Sequence, residues 1–164
     1  DDVVLVTAEG MSIRFHEDGV RTMGRAAAGV RGIRLGKDDH VVALSIVSKD
    51  ATLLVAGENG IGKRTDFDDY RVQSRGGKGI KTMKITKKTG KVVGGLTVHE
   101  GDEIMLITVG GQMVRTSVDG VRQTGRNAQG VRLVNVDDKD RLQDIAPVVS
   151  AEKEEEAAGE EAEE

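Results

Sequence analysis

Among 164 residues there is no cysteine, no tryptophan, one proline, one tyrosine and two phenylalanines. Without cysteine there is no disulfide framework and no thiolate metal site, a composition that suits a reducing cytoplasm. With aromatics at 2% the core must be aliphatic, and rings for stacking on unpaired bases are scarce. No apolar run approaches the roughly 20 residues of a membrane span, and no secretory signal is visible, so a cytoplasmic protein with no membrane partner is expected. The chain opens Asp1-Asp2-Val3 without methionine, which predicts a piece of something longer. Helical patterning is nearly absent too: only the Glu/Ala end has good helix formers, and it lacks an apolar stripe.

What is abundant is glycine, 22 residues of it, as in all-β chains with many tight turns. Charge is uneven. Net charge is −4, but residues 151–164 hold eight glutamates and one lysine, or −7, so residues 1–150 carry 23 basic and 20 acidic side chains, or +3. A Glu/Ala segment without large apolar residues is expected to be solvated and disordered. It reads as a solubility tail, or as a competitor for whatever the basic body binds.

The body repeats. Val3-Val4-Leu5-Val6-Thr7, a turn at Glu9-Gly10 and then Ile13-Arg14-Phe15 return as Leu53-Leu54-Val55-Ala56, Asn59-Gly60 and Lys63-Arg64-Thr65. They return again as Ile104-Met105-Leu106-Ile107, Gly110-Gly111 and Val114-Arg115-Thr116. Gly24-Arg25, Ser74-Arg75 and Gly125-Arg126 align at the same period, as do Gly29, Gly79 and Gly130. A basic β run follows each glycine, at 30–35, 80–85 and 131–134, and a mainly apolar strand closes each unit at 41–47, 92–98 and 145–149. The units are 1–50, 51–101 and 102–150, each with four short strands in about 50 residues, the length of one propeller-type blade. Three blades cannot close a ring, since propellers have about four to eight. Lys87-Lys88-Thr89-Gly90 is an additional hairpin tip in the middle unit.

Little here resembles a catalytic site. Gly57 to Lys63 fits phosphate-loop spacing, but Arg64 stands where the magnesium-binding Ser or Thr belongs and no helix pattern follows. His16, His40 and His99 fall at unrelated places in their units, without metal-ligand spacing. Asp66, Asp68 and Asp69 lack the glycine and distal glutamate of a calcium loop, and read as a solvated turn. Tyr70 reads as packing. No nucleophile, base and orienting group come together, so an enzyme built on a propeller channel has no residue set behind it.

Positive charge does repeat. Arg14, Arg64 and Arg115 form one row; Arg25, Arg75 and Arg126 a second; Arg31, Lys81 and Arg132 a third; Arg34 and Lys84 a fourth, where Asn135 stands in the last unit. Blades arranged alike would set such rows at intervals around one rim, the footprint of a protein that reads a phosphate backbone by charge. The scarcity of rings favours a duplex. A protein-interaction propeller is the alternative, and it does not require the cations.

Gln73-Ser74-Arg75-Gly76-Gly77-Lys78-Gly79 matches six of seven positions of the box Gln-Arg-Arg-Gly-Gly-Lys-Gly that marks the C-terminal domain of DNA gyrase A, with Ser74 replacing an arginine. Residues 23–31 and 124–132 look like degenerate versions. The chain resembles that family from about Val3 to Val149. The resemblance implies a β-pinwheel, a propeller-like disc whose blades exchange strands, of which this chain would hold three of six blades and the acidic end. The A subunit of topoisomerase IV carries a related, more degenerate domain, and the near-complete box favours gyrase. The box is expected in the first blade of the family's disc, a blade expected to lie outside this chain.

The resemblance also implies what the domain does. Duplex DNA would bend around the basic rim and be presented to the cleavage gate of a heterotetramer of the gyrase A and B subunits, which supercoils DNA negatively with ATP. This segment would be non-catalytic and without cofactor, since the cleavage tyrosine, magnesium carboxylates and ATPase belong elsewhere in the complex. Arg75 and Lys78 of the box, with the four rows, are the expected DNA contacts.

Overall fold

The computed structural model describes residues 1–149, so the acidic segment and its expected disorder lie outside the described residues. Each repeat begins with an antiparallel hairpin: β1 (Asp2–Thr7) with β2 (Met11–His16), then β4 (Thr52–Gly57) with β5 (Ile61–Asp66), then β8 (Glu103–Thr108) with β9 (Met113–Ser117). Pairing Val4 with Arg14, Leu54 with Arg64 and Met105 with Arg115 gives the three arginines one place in the fold. A single 3-10 turn follows each hairpin, at Glu17–Gly19, Phe67–Asp69 and Val118–Gly120. The side chains of His16, Asp66 and Ser117 accept from its early N–H groups, so the acidic cluster at Asp66 is an N-cap. The closing strands β3 (Val41–Ile46), β7 (Val92–Val98) and β11 (Leu142–Pro147) return to pair with the first strand of their own repeat.

The fourth strand comes from the neighbour. β6 (Ile80–Lys81) leaves the second repeat and pairs with β2, while β10 (Val131–Arg132) leaves the third and pairs with β5. The sheets therefore run β3-β1-β2-β6, β10-β5-β4-β7 and β11-β8-β9. Four strands per repeat is corrected at two points. Among the described residues the third sheet has three strands, because none of them pairs with β9 as β6 does with β2 and β10 with β5. The run 30–35 is not a strand, because its counterparts pair with the sheet of the preceding repeat. Instead Arg34 donates its N–H to Gly77 O at 2.7 Å, and Ile33 buries against Ile13 and Phe15.

The core lies between sheets. Val4 and Val6 meet Leu53, Val55, Phe67, Tyr70 and Met83 between the first and second, and Leu54 and Ala56 meet Ile104, Leu106, Val118, Val121 and Leu142 between the second and third. β4 is thus covered on both faces and buried at every position, whereas β1 alternates because its second face is only partly covered. Burial of each such aliphatic side chain contributes on the order of 1.5–3 kcal/mol. At the two ends of the arc the same positions remain open: Leu44 is 61% exposed and Met113 65%. The closing strands β3, β7 and β11 lie side by side, which puts β6 and β10 on the opposite, outer edge.

Candidate nucleic-acid interface

The box-like turns are built onto that outer edge. After the second 3-10 turn the chain crosses to the first sheet, where Val72 bridges to Arg14 in parallel and Gln73 N–H donates to Arg14 O at 2.8 Å. It then turns through residues 74–78 and pairs back along β2 as β6. The third repeat does the same on β5, with Gln123 bridged to Arg64 and Thr124 N–H on Arg64 O at 2.8 Å. The crossing is so close that only glycine fits. Gly79 and Gly130 have φ of 77° and 95°, and a Cβ would stand 2.1 Å from Ser12 O and 2.5 Å from Gly62 O.

The four rows of cations meet different fates. In the first row, Arg14 and Arg64 are largely buried. Arg14 donates to Asp2 and, at 2.8 Å, to the carbonyl of Phe67, and Arg64 donates to Val121 O at 2.9 Å and to Glu100 at 3.1 Å. Each holds the 3-10 turn of the following repeat and has little surface left for a phosphate. Arg115, which has no following repeat beside it among the described residues, is exposed and paired with Glu103 through Nε at 2.7 Å.

The second row reaches backwards. Arg75 donates to Gly19 O at 2.6 Å and Arg31 O at 3.2 Å, and Arg126 to the corresponding Asp69 O at 2.9 Å and Lys81 O at 2.8 Å. Both are half-buried clamps whose Nη2 has no acceptor among the described residues. Arg25 is exposed, and among the described residues there is no earlier repeat for it to hold. The third and fourth rows, Arg31, Lys81, Arg132, Arg34 and Lys84, are exposed, as is Lys78 of the box-like turn.

Two features were not anticipated. Arg21, Arg71 and Arg122 follow the three 3-10 turns directly, are all exposed, and keep the same 50- and 51-residue spacing, so the period alone could have found them. Lys63 is 1% exposed, and its ammonium donates to Gly125 O at 3.3 Å, Ala128 O at 3.0 Å and Arg126 O. Burial, with the nearby Arg126 charge, lowers its pKa to about 8.

Comparison with known proteins bears on this architecture directly. The family described as "DNA gyrase C-terminal domain, beta-propeller" matches residues 1–48, 51–99 and 102–148. The chain belongs to this family.

The DNA gyrase A protein of Mycolicibacterium smegmatis is 46% identical over 148 residues, which are 89% of this chain and 18% of that protein. The DNA gyrase A protein of Salmonella typhimurium is 44% identical over 156 residues, 93% of this chain and 18% of that protein. The chain therefore spans under a fifth of these relatives. A solved gyrase A C-terminal domain superposes with a TM-score of 0.85 at 30% identity, covering 91% of this chain and 51% of that one. The C-terminal domain of a DNA topoisomerase IV superposes with a TM-score of 0.87 at 25% identity, covering 99% of this chain and 51% of that one.

Against this gyrase-type frame the other candidate groups have structural places. Tyr70 is buried, its hydroxyl bonded to Thr82 and its pKa raised by burial. Gly57 to Lys63 forms the β4–β5 hairpin, with Lys63 inside a strand. His16 pairs with Asp18, and His99 sits beside Asp102 and Ser48 Oγ, both rings being about half exposed. Among the described residues no helix is long and apolar enough to cross a membrane.

Proposed function

We propose that this chain is a duplex-DNA-binding part of a gyrase A protein, bending the helix around its outer edge. The observation that supports it most is the edge itself. The box-like turn of the second repeat lies along the first sheet and carries Lys78, Lys81 and Lys84 exposed, with Arg71 at its entry. The third repeat continues the line with Arg122 and Arg132 along the second sheet.

Such charges neutralise phosphates and release counterions without reading bases. Bending 20–30 base pairs by 40–90° costs on the order of 1–6 kcal/mol, which several charge-assisted phosphate contacts can offset. In the whole enzyme the bent segment would be delivered to the cleavage gate of an assembly of gyrase A and B proteins, where ATP-driven strand passage supercoils DNA. Strand cleavage, magnesium and ATP hydrolysis belong to that remainder, and this segment contributes binding alone. The compartment would be the cytoplasm.

A second reading is the equivalent domain of topoisomerase IV, favoured by the superposition of that domain over 99% of this chain. The test of DNA binding is the affinity for a fluorescent duplex between about 50 and about 300 mM salt, expected to fall steeply. Salt-insensitive or absent binding would sink this proposal and leave a protein-interaction propeller. Supercoiling by a holoenzyme carrying this domain, against relaxation alone, separates gyrase from topoisomerase IV.

A further inference from the structure

Lys63 has no counterpart in the repeat. Ile13 occupies its place in the first hairpin and Val114 in the third, both aliphatic. What lies above it differs correspondingly. Above Ile13 the turn runs through Gly76-Gly77, with Gly76 at φ 83°, and a Cβ on Gly77 would stand 3.6 Å from Ile13 Cδ1. Above Lys63 the turn carries Asn127-Ala128 at those places, and Asn127 is not in the left-handed region. Its backbone takes another path, and the oxygens of Gly125, Arg126 and Ala128 converge on one ammonium. An ammonium has three protons and here finds three carbonyls.

We propose that Lys63 is a positioning residue for the edge: it replaces the Gly-Gly pair as the device that sets the turn 125–128. By fixing the Arg126 backbone it keeps that guanidinium on Asp69 O and Lys81 O, and so keeps Arg132 beyond it in line with Lys81. The purpose of this clamp rests on the DNA-binding reading; its geometry does not. Arg126 is the charged group acting on Lys63 from the turn; β4 opposite presents Val55, and Tyr70, buried with Val55 in the same core cluster and bonded through its hydroxyl to Thr82, is the titratable group on that side.

The test is a pH titration of the 164-residue chain by amide NMR without DNA, with duplex binding measured in parallel. The amides of 125–129 shift together with a midpoint at about 8, those of 75–79 do not, and Lys63→Met abolishes the midpoint. At fixed salt and neutral pH, K63M binds a duplex about fivefold more weakly, the loss of a modest charged hydrogen-bond contribution. Wild-type affinity declines as the lysine deprotonates, while that of K63M stays flat. Turn amides without that midpoint, or K63M binding as tightly as the wild type, overturn the proposal. Should K63M fail to fold, the wild-type titration needs no variant and decides alone. A wild type that binds no DNA defeats the functional reading above, and the amide titration still supports or overturns the clamp.

Discussion

The guanidinium of Arg14 lies 2.8 Å from the carbonyl oxygen of Phe67, 53 residues further along the chain and in the next repeat. Its counterpart Arg64 reaches the same turn of its following repeat at Val121 O, 2.9 Å away, which matches the longer contact of Arg14 with Tyr70 O at 3.4 Å, while Arg115 closes on Glu103 of its own hairpin. One repeated residue thus has two jobs, decided by whether a neighbouring repeat is present. Losing a buried charged hydrogen bond costs about 1.5–3 kcal/mol and an exposed ion pair about 0–1. Arg14→Met and Arg64→Met are therefore expected to destabilise by the larger amount in denaturant unfolding and Arg115→Met by the smaller. Equal effects at all three would refute the assignment.

Exposed cations on the edge should behave in the opposite way. Lys78→Gln, Lys84→Gln, Arg71→Gln and Arg122→Gln are surface changes expected to leave stability within about 0.5 kcal/mol. Each should weaken duplex binding whatever the sequence and lower the salt slope by about one. A double variant with affinity and slope unchanged would show that phosphates do not lie here.

Gly29, Gly79 and Gly130 offer a test of the crossing. All three have positive φ, so alanine is strained at each, by the order of 1 kcal/mol. Only Gly79 and Gly130 face a carbonyl; Gly29 has open space around its missing Cβ. Thermal unfolding should rank Gly29→Ala well above Gly79→Ala and Gly130→Ala, the last two losing the outer strand as well.

The pH dependence of stability follows from two buried groups of opposite sign. Lys63 falls from 10.5 to about 8 on folding, so between those values the unfolded chain binds more protons and stability rises with pH. Tyr70 is raised from 10.0, so above that value the folded chain holds a proton that the unfolded one loses, and stability falls. Denaturant midpoints should therefore climb above pH 8 and turn down beyond about 10, with the climb missing in K63M.

The repeat, the hairpins and the closing strands could be read from residues 3 to 149 because periodic apolar runs and Gly turns are local signals. The exchange of β6 and β10 could not. A two-residue strand such as Ile80–Lys81 has the same composition whichever sheet receives it, and the resemblance to a known family supplied what the pattern did not. The sorting of cations was hidden for a related reason. Arg14, Arg75 and Lys81 are alike in sequence, yet one is walled in by the following 3-10 turn, one bends back onto the preceding repeat, and one stays exposed. Lys63 left only a misleading trace, a Gly-Lys pair that imitated a nucleotide loop.

Strand exchange has a mechanical corollary. A load applied at Lys78 or Lys81 is borne by hydrogen bonds to Met11 and Ser12, which belong to the preceding unit, before it reaches the unit that owns those lysines. Tension from a bent, springy duplex would be shared between adjacent units at each point of attachment, as in overlapping roof tiles. A cut between residues 50 and 51 would part β2 from β6, leaving the first unit without its eave and the second with an overhang that shelters nothing.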